Sequence, residues 1–264
     1  MAHARGLANR KGRTHDLGKM SLPDLVKAYF LYPAVITYLA LSAICIVVIG
    51  YTAQSIWPLI AAAALATLVY PLVWYCLHRF VLHGSFLYKS PLTASTWKRI
   101  HYDHHQDPND LRVLFGALYT TLPTIAGVTL PLGWLIGGLP GAAAAFASGL
   151  LTTCFYEYCH CVQHLKYLPK SRFLRRIKQL HMAHHFHNEH GNYGITNFAW
   201  DRVFGTLYQG PKDMVRSPTV FNLGYDAEQA KRYPWVAEIS ERRGHFKAKP
   251  EDRTTPPAEH NPAS

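Results

Sequence analysis

Two long stretches of this chain contain no charged side chain. Neither Asp, Glu, Lys nor Arg occurs at positions 28–77 or 113–156, so the 27 basic and 16 acidic residues all lie elsewhere. The mean hydropathy of the whole chain, −0.04, hides this separation. Apolar runs of this kind are typical of membrane segments and exclude an ordinary soluble domain.

Each stretch is too long for a single crossing. The first has 50 residues, and as one helix it would extend about 75 Å, against a hydrocarbon core of about 30 Å. Helix breakers fall inside both stretches, at 50–55 and at 137–141, and Pro123 and Pro131 are expected to kink or shorten the third pass. The pattern predicts an all-α membrane protein of two hairpins, with passes over about 29–49, 56–77, 113–136 and 142–161.

The charges predict how this protein is oriented. Two hairpins place segments 1–27, 78–112 and 157–264 on one side, and those segments contain every Lys and Arg. Positive charge marks the cytoplasmic side, so both termini are expected there. This orientation also explains the net charge of +11, and nucleic-acid binding would leave the four passes without a role. We expect a cytosolic segment at 1–27, a membrane domain with a cytosolic helical cap at 28–241 and a disordered polar tail at 242–264.

Histidine carries the strongest chemical signal. The chain has 16 histidines, none of them inside a charge-free stretch. Ten form four clusters, all on the predicted cytoplasmic side: His78 and His83; His101, His104 and His105; His160 and His164; and His181, His184 and His185.

The spacings favour metal binding by helices. Positions i, i+3 and i+4 share a helix face, so two imidazoles one turn apart can point at one ion while a third reaches a neighbouring ion. His78 and His83 lie about 140° apart on an ideal α-helix, so they share a face only if the helix ends between them. Ten ligands suit two ions, and imidazole alone does not choose among iron, zinc, copper and nickel. Cys159 and Cys161 flank His160 but are interpreted as small apolar residues at a helix end.

The surrounding sequence narrows the chemistry. No H-E-x-x-H motif marks a zinc hydrolase, and no nucleotide-binding fingerprint occurs. A nitrogen-only dinuclear site that opens on a bilayer is best matched by iron that activates O2 against a lipid C–H bond.

These clusters also carry a family resemblance. Together with YGIT at 193–196 and WDRVFGT at 200–206, they resemble the integral-membrane fatty acid hydroxylase / sterol desaturase superfamily over roughly 70–210, most closely the fatty acid 2-hydroxylases of sphingolipid acyl chains. The resemblance implies two non-haem iron ions, O2 as co-substrate and electrons from a redox partner. Residues 1–27 lack the His-Pro-Gly-Gly haem motif of the eukaryotic enzymes. A separate donor of the cytochrome b5 or ferredoxin type is therefore expected.

Other residues are candidates for supporting roles. Glu157, Asp103, Asp110 and Asp201 could accept hydrogen bonds from the free N–H groups of ligand rings, and His187 could do similar work beside the last cluster. Six aromatic residues near pass ends could line an acyl channel, but an interfacial belt is favoured: Tyr70, Trp74, Tyr75, Phe155, Tyr156 and Tyr158.

The sequence thus predicts hydroxylation of a membrane lipid acyl chain. Because every cluster lies at or beyond the end of a pass, C2 beside the polar head is the least displaced target. The alternatives are hydroxylation or desaturation of another lipid, such as a sterol, a carotenoid or an amino-lipid headgroup. A metal transporter or metal store is the alternative from a different class, but the charge-free passes offer it no ionisable pathway.

Overall fold

The computed structural model describes residues 16–210 and 212–242, and in this part of the chain every regular element is a helix. Residues 243–264 of the expected tail, and the N-terminal residues before 16, lie outside the described residues, whereas Arg242, the expected first residue of the tail, is the last residue of a helix. The all-α prediction is therefore confirmed for the described chain. The helices run in this order: α1 Leu22–Phe30, α2 Pro33–Thr52, α3 Trp57–Cys76, π1 Leu77–Leu82, α4 Pro91–Trp97, π2 Lys98–Tyr102, α5 Asp103–Gln106, α6 Leu111–Leu114, α7 Leu118–His164, α8 Arg172–Phe186, α9 Ala199–Val203, α10 Ala227–Arg232 and α11 Trp235–Arg242.

Three helical segments are long and apolar enough to cross a membrane, namely Pro33–Thr52, Trp57–Leu82 and Leu111–His164. Large apolar side chains on them are more than half exposed, including Ile44, Leu68 and Leu135. Exposed apolar surface of this extent fits a lipid environment. The three segments therefore indicate an integral membrane protein.

The predicted breaks lie close to the observed ones. Helix α2 ends at Thr52, inside the expected turn, and α7 contains two non-helical residues, Gly137 and Gly138. Beyond this break the two halves of α7 approach closely, because a Cβ on Gly133 would lie 2.3 Å from the carbonyl oxygen of Gly141. One boundary was misplaced: the segment predicted to start at 113 begins its long helix only at Leu118.

The prolines do not shorten this helix. The helix continues through Pro123 and Pro131, so the expected shortening of the third pass is wrong. Threonine hydroxyls bond to helix carbonyls nearby, as Thr124 does to the Thr120 carbonyl at 2.8 Å. In an apolar setting, such side chains help to keep a proline-containing helix intact.

Helix α7 is the centre of the fold, because it packs along both α2 and α3. Small residues allow the closest approach to α3, where Ala62 and Ala66 meet Ala144 and Ala145. Helix α1 packs against α7, and the other short helices, α4 to α6 and α8 to α11, gather beside the ends of α3 and α7 where the histidines lie.

Candidate metal centre

All ten clustered histidines meet in two neighbouring groups of five. Within each group, one ring nitrogen per residue lies within 4.8 Å of every other. Nine of the ten side chains are buried, and His83 is half-buried. The first group contains His78, His83, His101, His105 and His184, and the second contains His104, His160, His164, His181 and His185.

The expected division of each triplet is observed. His101 and His105, one turn apart, belong to the first group, whereas His104 between them belongs to the second. The last triplet is divided in the opposite sense, with His184 alone in the first group. Two clusters from different elements thereby tie the two groups together.

The first cluster reaches its group by a route that the sequence analysis did not foresee. Residues Leu77–Leu82 form a π-helix, and the His83 backbone N–H donates to the His78 carbonyl at 3.2 Å. The wider π turn brings positions i and i+5 to the same side of the helix. The helix ends at Leu82, one residue before His83, so the expected ending between His78 and His83 is observed, and the π turn before it is the unforeseen part.

Backbone carbonyls orient three rings of the first group. The Nδ1–H groups of His78, His105 and His184 donate to the carbonyls of Tyr193 at 2.6 Å, Val220 at 2.9 Å and Gly191 at 2.7 Å. Such bonds fix the tautomer and leave Nε2 free to bind a metal. No ring of the second group has a carbonyl partner of this kind in the described chain.

The loop at 191–194 is shaped to provide two of these carbonyls. A Cβ on Gly191 would lie 2.4 Å from the Thr206 carbonyl oxygen, and one on Gly194 would lie 2.2 Å from the Asn197 carbonyl oxygen. Only glycine fits either position. Asn192 between them has a positive φ of 56°, a conformation that asparagine tolerates better than most residues.

Asp201 holds the same loop. Its fully buried carboxylate accepts the N–H groups of Tyr193 and Gly194 and the hydroxyl of Thr206, each at 2.8 Å. Burial raises the pKa of Asp201, and these hydrogen bonds oppose that rise. Asp201 therefore acts on His78 through the Tyr193 peptide, whereas the sequence analysis expected direct contact with a ring.

The other predicted supporting residues lie in different places. Asp103 pairs with the buried Lys98, and Asp110 pairs with Arg112 at 2.7 Å. His187 lies beside the Met214 carbonyl at 2.7 Å. Glu157 is buried, and its Oε1 accepts the Gly116 N–H at 3.2 Å. Asp103, His187 and Glu157 have no hydrogen bond to the ten rings among the contacts of the described residues.

The geometry of the two groups fits metal ions. Facing Nε2 atoms lie 2.8 Å apart for His83 and His101, and 3.0 Å apart for His164 and His181. Two nitrogens bound at about 2.1 Å and at right angles around one ion would be about 3 Å apart. Seven of the thirteen buried side-chain polar atoms without a hydrogen-bond partner in the described chain belong to these histidines. Three of these seven atoms are Nε2 atoms, on His105, His184 and His185, and bound metal would satisfy them.

The protonation state also suits ligation. Burial, helped by neighbouring imidazoles, holds pKa values well below the usual 6.5, so these rings remain neutral and able to bind. This lowering applies to the histidines outside the candidate spans: His83, His101, His104, His105, His181, His184 and His185.

An apolar cavity lies directly beside the histidines. Its upper end is lined by Leu77, Ile100 and Glu157, which are close in sequence to His78, His101 and His160. Its walls come from one face of α3 and one face of α7. Tyr70 and Trp74 line it, so the favoured interfacial belt is wrong for these two residues. Tyr75 and Tyr156 are buried too, whereas Phe155 is 63% exposed and fits the belt.

The fold and the site define a class of helical membrane protein with two histidine groups that could each hold a metal ion, and comparison with known proteins gives its family. The model of the fatty acid hydroxylase family matches residues 63–206, more than half of the chain. The chain belongs to this family, and the resemblance stated from sequence is confirmed.

Individual relatives agree with the family match. The chain is 35% identical over 150 residues to "Ceramide very long chain fatty acid hydroxylase SCS7" of Saccharomyces cerevisiae, covering 54% of this chain and 36% of the relative. It is 33% identical over 154 residues to "Dihydroceramide fatty acyl 2-hydroxylase FAH2" of Arabidopsis thaliana, covering 54% of this chain and 59% of that one. The match therefore spans less than two thirds of either relative.

A solved structure is also similar. It is titled full-length scs7p with only the hydroxylase domain visible, and it superposes with a TM-score of 0.60 and 28% identity. The superposition covers 76% of this chain and 71% of that one.

Proposed function

We propose that this protein hydroxylates the acyl chain of a membrane lipid at C2, with two iron ions held by the two histidine groups. The observation that carries the proposal is the position of an apolar cavity along two membrane helices next to a ten-histidine cluster, since the ring of Trp74, which lines the cavity, lies 5.9 Å from the ring of His78. When bound, the irons would supply dioxygen activation and C–H oxidation. The balanced reaction converts a C–H bond, O2, two electrons and two protons into a C–OH group and water.

The shape of the cavity supports an acyl substrate. On α3 and π1 the lining residues recur at helical spacing, as in Ala66, Tyr70, Val73 and Leu77, and those on α7 do the same from Thr120 to Thr129. The cavity therefore follows the helix axes. A chain lying in it would run from the histidines toward the bilayer interior.

Polar atoms at the top of the cavity support an amide-linked substrate. Trp74 Nε1, Tyr156 Oη and Glu157 Oε2 are buried without hydrogen-bond partners, and Trp74 and Glu157 line the cavity. The Trp74 N–H as donor and the Glu157 carboxylate as acceptor would satisfy the carbonyl oxygen and the N–H of an amide, whereas a free carboxylate would meet the Glu157 carboxylate. An amide held there places C2 next to the histidines.

The membrane arrangement is part of the same proposal. The break at Gly137 and Gly138 and the contact of Gly133 with Gly141 support two passes within α7, giving four in total. An even number places the termini and the histidine groups together on the positively charged, cytoplasmic side. The domain then comprises residues 28–241, with its cap over the cavity.

Lipid mass spectrometry tests this function. Cells that express the protein should accumulate acyl lipids that are heavier than their precursors by one oxygen atom, about 16 mass units. Fragmentation should place the hydroxyl on C2. Cells that express His104→Ala provide the matched control and should lack the product. A hydroxyl on the headgroup, a double bond or a mid-chain hydroxyl would contradict the C2 assignment.

Glu157→Gln tests how the polar head is read. The amide of glutamine should reduce selectivity for amide-linked over free fatty acids by about tenfold, which corresponds to about 1.4 kcal/mol of differential binding. Equal selectivity in the wild-type protein and Glu157→Gln would contradict the proposed contact.

A further inference from the structure

The lower end of the cavity is as well defined as its upper end. The deepest lining residues on the two facing helices are Ala66 and Thr129. Ala66 is 3% exposed and Thr129 is 4% exposed. Both are thus enclosed by protein, although they lie well inside apolar helices.

Below this level the helices leave no space. One turn below Ala66, Ala62 is 1% exposed and packs in a cluster with Ala144 and Ala145. One turn below Thr129, a Cβ on Gly133 would lie 2.7 Å from the Ala145 Cβ. Backbones in such close contact form a closed floor.

The distance from the histidines to this floor follows from helix geometry. Leu77, beside His78, and Ala66 are eleven residues apart, which is about 16 Å along a helix. An extended chain advances about 1.2 Å per bond, because three backbone bonds of an extended peptide span about 3.6 Å. About 13 bonds therefore fit between the histidines and Ala66.

We propose that Ala66 and Thr129 set an upper limit on the substrate acyl chain, at about 14 carbons. The inference rests on the proposed function, since it assigns the chain to the cavity with C1 and C2 beside the histidines, so that about 13 bonds lead from C1 to about C14. A longer chain would have to bend out between α3 and α7 or leave its polar head short of the polar atoms at the top. The length of the acyl chain is therefore limited by the closed end of the cavity, far from the reacting carbon.

Substitutions at the floor should change the limit. Ala66→Leu adds three carbon atoms beyond Cβ at the deepest lining position. Val128→Phe adds bulk from the facing helix at a half-buried position that tolerates a larger side chain. Ala64→Leu makes the same chemical change as Ala66→Leu at an exposed position on the same helix and is the matched control.

The test combines binding and turnover in the full-length, metal-loaded protein. Detergent-solubilised protein is incubated with saturated N-acyl-sphinganines of about ten to about twenty-four carbons, and lipid retained after gel filtration is quantified by mass spectrometry. Retention by the wild-type protein should be greatest near 14 carbons and fall severalfold for chains four carbons longer. In Ala66→Leu and Val128→Phe the optimum should move to chains shorter by about two to four carbons, and in Ala64→Leu it should not move.

Two results would overturn the chain-length limit. One is equal retention of the longest and the 14-carbon probes by the wild-type protein, and the other is an unchanged profile in both floor variants. These outcomes are distinct from failure of the proposed function. A shifted retention profile without hydroxylated product would contradict the activity alone, whereas C2 products with an unchanged profile would contradict the limit alone.

Discussion

Replacing Asp201 with asparagine should weaken the binding of one metal ion and leave the binding of the other unchanged. The carboxylate accepts three buried hydrogen bonds, and asparagine can keep the two that go to Oδ1, from Tyr193 and Thr206. Its amide nitrogen would instead face the Gly194 N–H, which now donates to Oδ2 at 2.8 Å. A buried donor left without an acceptor costs about 1–3 kcal/mol.

The loss of this hydrogen bond from the Gly194 N–H should affect the first histidine group. Tyr193 and Gly191 in the same loop supply the carbonyls for His78 and His184, and no ring of the second group has a carbonyl partner in the described chain. Loss of such support typically lowers metal affinity by about 10- to 100-fold. We expect an effect of that size on the metal of the first group only.

Titration with an iron chelator provides the assay. Iron remaining on the purified protein is measured by elemental mass spectrometry at each chelator concentration. In Asp201→Asn one iron should be released at about 10- to 100-fold lower chelator concentration than in the wild type. Asp226→Asn is the control, since Asp226 only caps α10 and asparagine caps equally well. If the binding of both irons is weakened equally, or if neither is weakened, the proposed path from Asp201 to His78 is refuted.

Three further outcomes follow from the site. First, burial lowers the pKa of His181, His184 and His185 below the usual 6.5, so below about pH 6.5 the unfolded chain takes up protons that the folded chain does not. The contribution of these neutral histidines to the free energy of unfolding is then fully present above that pH. On acidification it should fall by up to about 1.4 kcal/mol per pH unit for each such histidine. SDS titration between about pH 7.5 and about pH 5.5 measures this change, and a flat profile would contradict it. Second, His184→Ala should abolish activity while His3→Ala retains it, as product analysis of the two variants would show; an active His184→Ala protein would contradict the site. Third, the purified chain should not turn over on NAD(P)H alone, and association with an added acidic electron donor should weaken with salt; turnover without a donor would show that electrons enter by another route.

Much of the fold could be predicted from sequence, because the absence of charge is a strong signal over long segments. The polar stretch at 50–55 and the glycine and proline cluster at 137–141 also placed both helix breaks closely, at Thr52 and at Gly137. The start of α7 was missed, since residues 113–117 are as apolar as the helix that follows and only the local backbone separates them.

The ten histidines could be named in advance as one set of candidate ligands, because helical spacing carries over directly into geometry, but their division into two groups of five was seen only in the structure. Their supporting partners could not be predicted in the same way. The rings of His78, His105 and His184 bond to backbone carbonyls, and every residue type has such a group. The glycines at 191 and 194 were the available signal, since they mark a loop that approaches other backbone closely. The π-helix that unites His78 and His83 leaves no comparable mark in the sequence.

The aromatic residues show a different limit. Tyr70, Trp74 and Phe155 are all large aromatic residues near the ends of passes. The first two line the cavity, whereas Phe155 is exposed on the outside. Composition does not distinguish a cavity wall from a lipid-facing belt. That distinction depends on which face of α3 packs toward α7.

The metal content of the purified, active protein tests the central claim most directly. Elemental mass spectrometry should find two iron ions per chain, one for each group of five histidines. His104→Ala should lower the iron content and abolish lipid hydroxylation together. Active protein that contains zinc but no iron or other redox metal would contradict the account, because zinc has no accessible redox change with which to activate dioxygen.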